Sequence, residues 1–162
     1  MKRSYFIMLV AALLSMSATV TWGQKKGRAA DLEGIWQMCF YASDAKGTPG
    51  TLRAGNTFKI LTEDGHITNF TTIPGRGAII TGIGTYKISK GVLRESMKKN
   101  IHLPMLDGHS NDLYFTLSED GNIMSVKYFI KEDTQGHVID AWYYETWRRV
   151  EMPAEYPIDL VR

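Results

Sequence analysis

The chain has 162 residues, enough for one domain of ordinary size. It carries 19 basic and 17 acidic side chains, and two of the basic ones, Lys2 and Arg3, fall in a leader, which leaves 17 against 17. That balance excludes a nucleic-acid footprint, which needs a clustered positive excess, and a single cysteine excludes a disulfide scaffold.

The N-terminus reads as a secretory leader over residues 1–23. Lys2 and Arg3 form the charged region and Tyr5 to Leu14 the apolar core. Small residues at Thr21 and Gly23 place cleavage near Gly23–Gln24. The apolar run is too short for a comfortable membrane span, so no stable membrane insertion is expected after cleavage. No cysteine sits at the cleavage point to take a lipid. The expected location is therefore the periplasm or the exterior. Residues 24–30 form a polar linker whose Lys25, Lys26 and Arg28 are solvated.

A first strand is predicted over Leu32–Tyr41. Trp36, Met38 and Phe40 alternate on one face, and Ile35, Gln37, Cys39 and Tyr41 on the other. Cys39 lies between Met38 and Phe40 and reads as a small, buried or half-buried residue. Residues 43–56 are rich in turn formers and read as a long loop. Strands follow over Thr57–Thr62 and His66–Ile73, joined by the tight turn Glu63–Asp64–Gly65. After Pro74–Gly77, a strand over Ala78–Ser89 puts Ile80, Gly82, Gly84, Tyr86 and Ile88 on one face. Its internal glycines mark a bend or bulge. Lys90–Gly91 turns into Val92–Lys98, and residues 99–111 form a second long connection, part of which packs through Leu103, Met105 and Leu106. The last three strands are Asp112–Ser118, Ile123–Lys131 and His137–Val150, the first two joined through Glu119–Asn122. Residues 151–162 form a tail that straps the surface. Eight strands at hairpin spacing, with no amphipathic helix after the leader, predict an all-β domain over residues 31–150: an eight-stranded antiparallel up-and-down barrel.

Gly34-x-Trp36 at the first strand and Trp147–Arg148–Arg149 at the last resemble the seam of a lipocalin, or more broadly a calycin. The chain is also similar to lipocalin-like (calycin-like) domain families of unknown function in exported bacterial proteins. The stretch Leu61–Phe70 matches their second hairpin, and Gly84–Tyr86 through Leu93–Glu95 their fourth and fifth strands. The resemblance spans about residues 31–150 and implies that Trp36 plugs one end of the barrel, with Arg148 or Arg149 packed over it. The helix that follows the eighth strand in typical lipocalins is not evident, which points to the lipocalin-like families. These imply a fold and an export context more than an activity.

Glu95 is the most informative polar residue. It shares a strand face with Leu93 and Met97, where a carboxylate is costly unless paired or solvated. It is a ligand anchor in a wet pocket, half of a structural ion pair, or a residue near the rim that reaches water. The last strand presents Tyr143, Glu145, Trp147 and Arg149 on one face and Trp142, Tyr144, Thr146 and Arg148 on the other. Alternation alone does not say which points inward. Candidate ligand contacts are Glu95, Tyr86, Tyr143, Glu145 and Trp147; candidate closure residues are Trp36, Arg148 and Arg149. His66, His102, His109 and His137 lack metal-binding spacing, and no metal or other cofactor is implied. No nucleophile elbow, phosphate loop or dinucleotide fingerprint occurs. The leading functional expectation is a non-enzymatic, exported barrel that holds a small hydrophobic or amphipathic molecule. The alternatives are an interaction module with a filled barrel and functional loops at 43–56 and 99–111, and a small-barrel enzyme that uses inward carboxylates. A closed barrel leaves few free edges, so a monomer is expected, with a homodimer through the last strand as the other arrangement.

Overall fold

The computed structural model describes residues 31–46, 51–52, 55–133 and 135–151. The leader, the linker and the strap expected over 152–162 lie outside these residues.

Nine strands follow one another: β1 (Gly34–Ser43), β2 (Thr51–Leu52), β3 (Thr57–Leu61), β4 (His66–Ile73), β5 (Gly77–Ser89), β6 (Val92–Asn100), β7 (Ser110–Leu117), β8 (Ile123–Glu132) and β9 (Val138–Arg149). From β3 to β9 each strand pairs antiparallel with the next, and β1 pairs with both β3 and β9. The sheet therefore closes into an eight-stranded up-and-down barrel. Closure satisfies the ladder that an open sheet would leave bare. The two-residue β2 is an addition to β1 at Tyr41 and Ala42. It lies within the stretch expected to be a plain loop and is too short to show as a strand in sequence. The second long connection shortens to 101–109 because β6 continues to Asn100; it holds a single 3₁₀ turn at Pro104–Leu106.

Up-and-down order sorts the connections to two ends. The turns after β3, β5 and β7 lie at one end with the start of β1 and the finish of β9. The finish of β1 and the connections after β4, β6 and β8 lie at the other, the one at 101–109 being long. The first end is sealed. Trp36 is completely buried, and its indole N–H donates to the Leu32 carbonyl at 2.9 Å. The Arg149 guanidinium stacks 4.3 Å over the Trp36 ring. It also donates to the backbone carbonyls of Asp31 (2.9 Å), Gly121 (3.4 Å) and Glu33. Gly34 holds φ +121°, a region that favours glycine, which gives the Gly of Gly-x-Trp its reason. Of the two arginines considered for this role, Arg148 is exposed, because alternation along β9 turns it to the opposite face.

Along β6, β8 and β9 the barrel interior takes alternate residues: Leu93, Glu95 and Met97; Met124, Val126, Tyr128 and Ile130; Tyr143, Glu145 and Trp147. The inward face of β9 is thus the one that carries Glu145. Bulges break the alternation elsewhere. In β1 the register shifts between Met38 and Phe40, with Cys39 as the extra residue. The faces exchange there. Phe40 turns to solvent, whereas Tyr41 packs against the core, and the simple Trp36–Met38–Phe40 face does not hold. Another shift, between Asn69 and Phe70, leaves Thr81 extra in β5, so Ile80 is exposed and does not share the face of Gly82. A third, at Ile83/Gly84, brings β5 so close to β6 that a Cβ on Gly84 would overlap the Ser96 carbonyl oxygen. This is the close approach that the strand glycines signalled.

Candidate functional site

Towards the end with the long connections the barrel is not filled. A cavity of about 520 Å³ opens there, within the size range of small-molecule sites. Met38, Leu103, Leu106 and Leu113 supply apolar wall, and Tyr41, Tyr128 and Trp147 supply aromatic wall. At its rim, the imidazole Nε2 of His102 lies 3.2 Å from the Thr71 hydroxyl. The connection 101–109 is held against the barrel by Asn100, whose backbone N–H donates to Asp107 (2.6 Å) and whose carboxamide oxygen accepts from the Leu103 N–H (2.9 Å).

An ammonium and two carboxylates meet in this cavity, and strand register puts them there. Lys59 on β3 stands opposite Trp36 on β1 and Asn69 on β4. Glu95 on β6 stands opposite Tyr86 and Asn111. Glu145 on β9 stands opposite Tyr41 and Val126. The Lys59 ammonium donates to Glu95 Oε1 at 2.6 Å, and both side chains are more than nine-tenths buried. The same ammonium lies 4.7 Å from the centre of the Trp147 ring. Glu145 accepts two hydrogen bonds from neutral donors: the Tyr128 hydroxyl on Oε1 (2.9 Å) and the Trp147 indole N–H on Oε2 (2.8 Å). Glu145 and Trp147 are two residues apart on one strand face, which brings the indole to the carboxylate.

These contacts set the local electrostatics. Burial works against the charged form of Lys59, but the Glu95 and Glu145 carboxylates outweigh it and hold the ammonium above its ordinary range. Burial, and next the Glu145 charge, push the Tyr128 phenol well upward. Tyr41 is pushed up to about 12, by burial first and then by Tyr143 and Glu145. At the wall, Asn69 Oδ1 and Asn111 Nδ2 are buried with no hydrogen-bond partner among the described residues.

Of the residues singled out from sequence, Glu95, Glu145 and Trp147 come together in the cavity lining. Tyr143 does not line it. Its ring stacks on Tyr128, centroids 5.3 Å apart, and backs the wall. Tyr86 is also outside. It faces the same side as Glu95, its register partner, but leans towards the sealed end and donates its hydroxyl to the Thr62 carbonyl at 2.9 Å. Trp36 and Arg149 belong to the seal, as described. Sequence reasoning missed Lys59, Tyr128, Tyr41, Asn69, Asn111 and His102. For Lys59 a signal existed: it shares strand parity with Leu61, which is buried. The more apolar alternates Phe58 and Ile60 mask it, since Phe58 is half-buried and stacks on Phe70 at 4.9 Å. A second depression, of about 570 Å³, lies against β4, β5 and β6. Its lining includes the exposed His66, Thr85 and Lys98, so it is a groove of the outer wall.

A closed, up-and-down barrel with one plugged end is a lipocalin-like fold. The chain belongs to the family described as "Domain of unknown function (DUF4488)", whose model matches residues 31–158. No curated protein matches the sequence. Among solved structures the chain is similar to the possum milk whey lipocalin trichosurin, crystallised at pH 4.6 with bound 4-ethylphenol. The two are 12% identical over 74% of this chain and 76% of that one, with a TM-score of 0.41.

Proposed function

We propose that this protein is an exported carrier or sensor that binds a small, partly apolar molecule in the open end of its barrel. The observation that carries the reading is the cavity of about 520 Å³. Its wall is apolar and aromatic with a few fixed polar groups, the composition that orients a small ligand. A side-chain-filled barrel, which the interaction-module reading required, would leave no such space. The binding contacts are Glu95, Glu145 and Trp147, joined by Lys59, Tyr41 and Tyr128. Export by cleavage of residues 1–23 rests on the charged and apolar pattern of the leader. A closed barrel leaves few ladder edges for pairing, which supports a monomer.

Native mass spectrometry of protein purified from its own host tests both parts. The expected polypeptide begins at Gln24 and carries a non-covalent adduct whose occupancy falls in Glu95→Ala. A protein with no adduct in either form contradicts the binding reading, and an intact leader contradicts cleavage.

A further inference from the structure

We propose that the ligand is a cation: an apolar molecule that carries one protonated amine, which is placed between Glu95 and Glu145. This rests on the cavity-binding reading above and adds the charge class of the ligand. Among the described residues that line the cavity, Lys59 is the one ammonium, and it faces two carboxylates, Glu95 and Glu145. Lys59 is already committed to Glu95 Oε1 and to the face of Trp147. A ligand carboxylate or phosphate would have to displace Glu95 from it and then lie beside two buried acids.

The acids, in contrast, have capacity left. Glu145 is bonded only to neutral donors, the Tyr128 hydroxyl and the Trp147 indole. Among the described residues no cationic side chain lies within 4.0 Å of it. Glu95 is only 7% exposed, lines the cavity, and accepts nothing on Oε2 from the described residues. Buried charge of this kind is costly until a counter-charge arrives. An ammonium donates three hydrogen bonds and accepts none, so it fits the open acceptors Glu95 Oε2 and Asn69 Oδ1, while Asn111 Nδ2 is an open donor at the same wall. Tyr41, Tyr128 and Trp147 add aromatic faces, which attract cations. For Lys59 the Glu95 and Glu145 carboxylates outweigh the burial that works against its charged form. That is the field a bound ammonium would meet. Towards the rim, Leu103 and Leu106 offer contact to the apolar part.

Isothermal titration calorimetry with octylamine, octanol and octanoate at neutral pH tests the proposal. These share one apolar chain and differ in head-group charge. The expected result is that octylamine binds at least about tenfold more tightly than either competitor. Glu145→Gln, with its fold checked by circular dichroism, should remove most of that preference, lowering octylamine affinity about tenfold relative to octanol measured on the same variant. If Glu145→Gln does not fold, Glu95→Gln serves the same purpose. Tightest binding by octanoate or octanol overturns the cationic assignment and leaves the cavity reading standing. Octylamine binding that survives both substitutions unchanged overturns the placement between the two acids. Failure of all three compounds to bind overturns the assignment together with the cavity reading.

Discussion

Lys59→Met is the substitution with the largest expected cost. Lys59 and Glu95 are 2% and 7% exposed and 2.6 Å apart. Methionine fills most of the lysine stem volume, so packing changes little. What changes is charge: Glu95 loses its partner and stands with Glu145 in a cavity without an ammonium among its described lining residues. Breaking one side of a buried pair costs about 3–5 kcal/mol. For a barrel of this size that corresponds to a fall in Tm of roughly 12–20 °C. Removing both charges should cost much less, because a buried pair contributes little beyond its own desolvation. Lys59→Met/Glu95→Gln is therefore expected to recover most of the loss, within about 1–2 kcal/mol of wild type. Urea denaturation of the wild type, both single variants and the double variant gives the coupling energy directly. Additive effects, or a Lys59→Met loss below about 1 kcal/mol, would show that the pair is solvated and that the low-dielectric picture of the cavity is wrong.

Arg149→Met should cost about 2–4 kcal/mol, since it removes the stack on Trp36 and charged hydrogen bonds to three carbonyls. Arg148→Ala, on the solvent face, should stay within about 0.5 kcal/mol; equal losses in thermal unfolding would contradict the assignment of the seal to Arg149. Gly84→Ala forces a Cβ against the Ser96 carbonyl oxygen and should destabilise by about 1–3 kcal/mol, or split β5 from β6 in hydrogen exchange. An unchanged melting curve would mean the two strands are not so close. Lys59 and Tyr128 both hold their protons above their ordinary values of 10.5 and 10.0, so the unfolded chain releases those protons first. Their contribution to stability is present below these values and is lost as pH rises through the shifted ones. Denaturation midpoints measured from about pH 9 to about pH 12 should fall, and less steeply in Tyr128→Phe. A flat or rising profile refutes the coupling.

The barrel was legible because each hairpin announces itself: Glu63–Asp64–Gly65 and Glu119–Asp120–Gly121 separate runs of clear alternation. From Leu93 to Met97 on β6 and from Met124 to Ile130 on β8 alternation runs unbroken, so the inward placement of Glu95 with Leu93 and Met97 followed from parity. The bulge at Cys39 was not legible, because an inserted residue leaves no compositional trace. It turned Phe40 outward and Tyr41 inward, and with them one aromatic wall of the cavity. Lys59 was hidden for a different reason. A lysine between Phe58 and Ile60 looks like the polar face of a strand, and its parity with Leu61 is too faint a signal to outweigh them. The direction in which a side chain leans was also beyond reach, which is why Tyr86 turned out to serve the sealed end.

The central claim is that the open end of the barrel admits a small molecule. Titration with N-phenylnaphthylamine, a neutral dye that brightens in apolar surroundings, addresses it in wild type and in Leu103→Trp, which puts a large ring at the cavity wall. Saturable, one-to-one enhancement is expected in wild type and its loss in Leu103→Trp, with both proteins melting alike. Equal enhancement in the two proteins, or none in wild type, would contradict it.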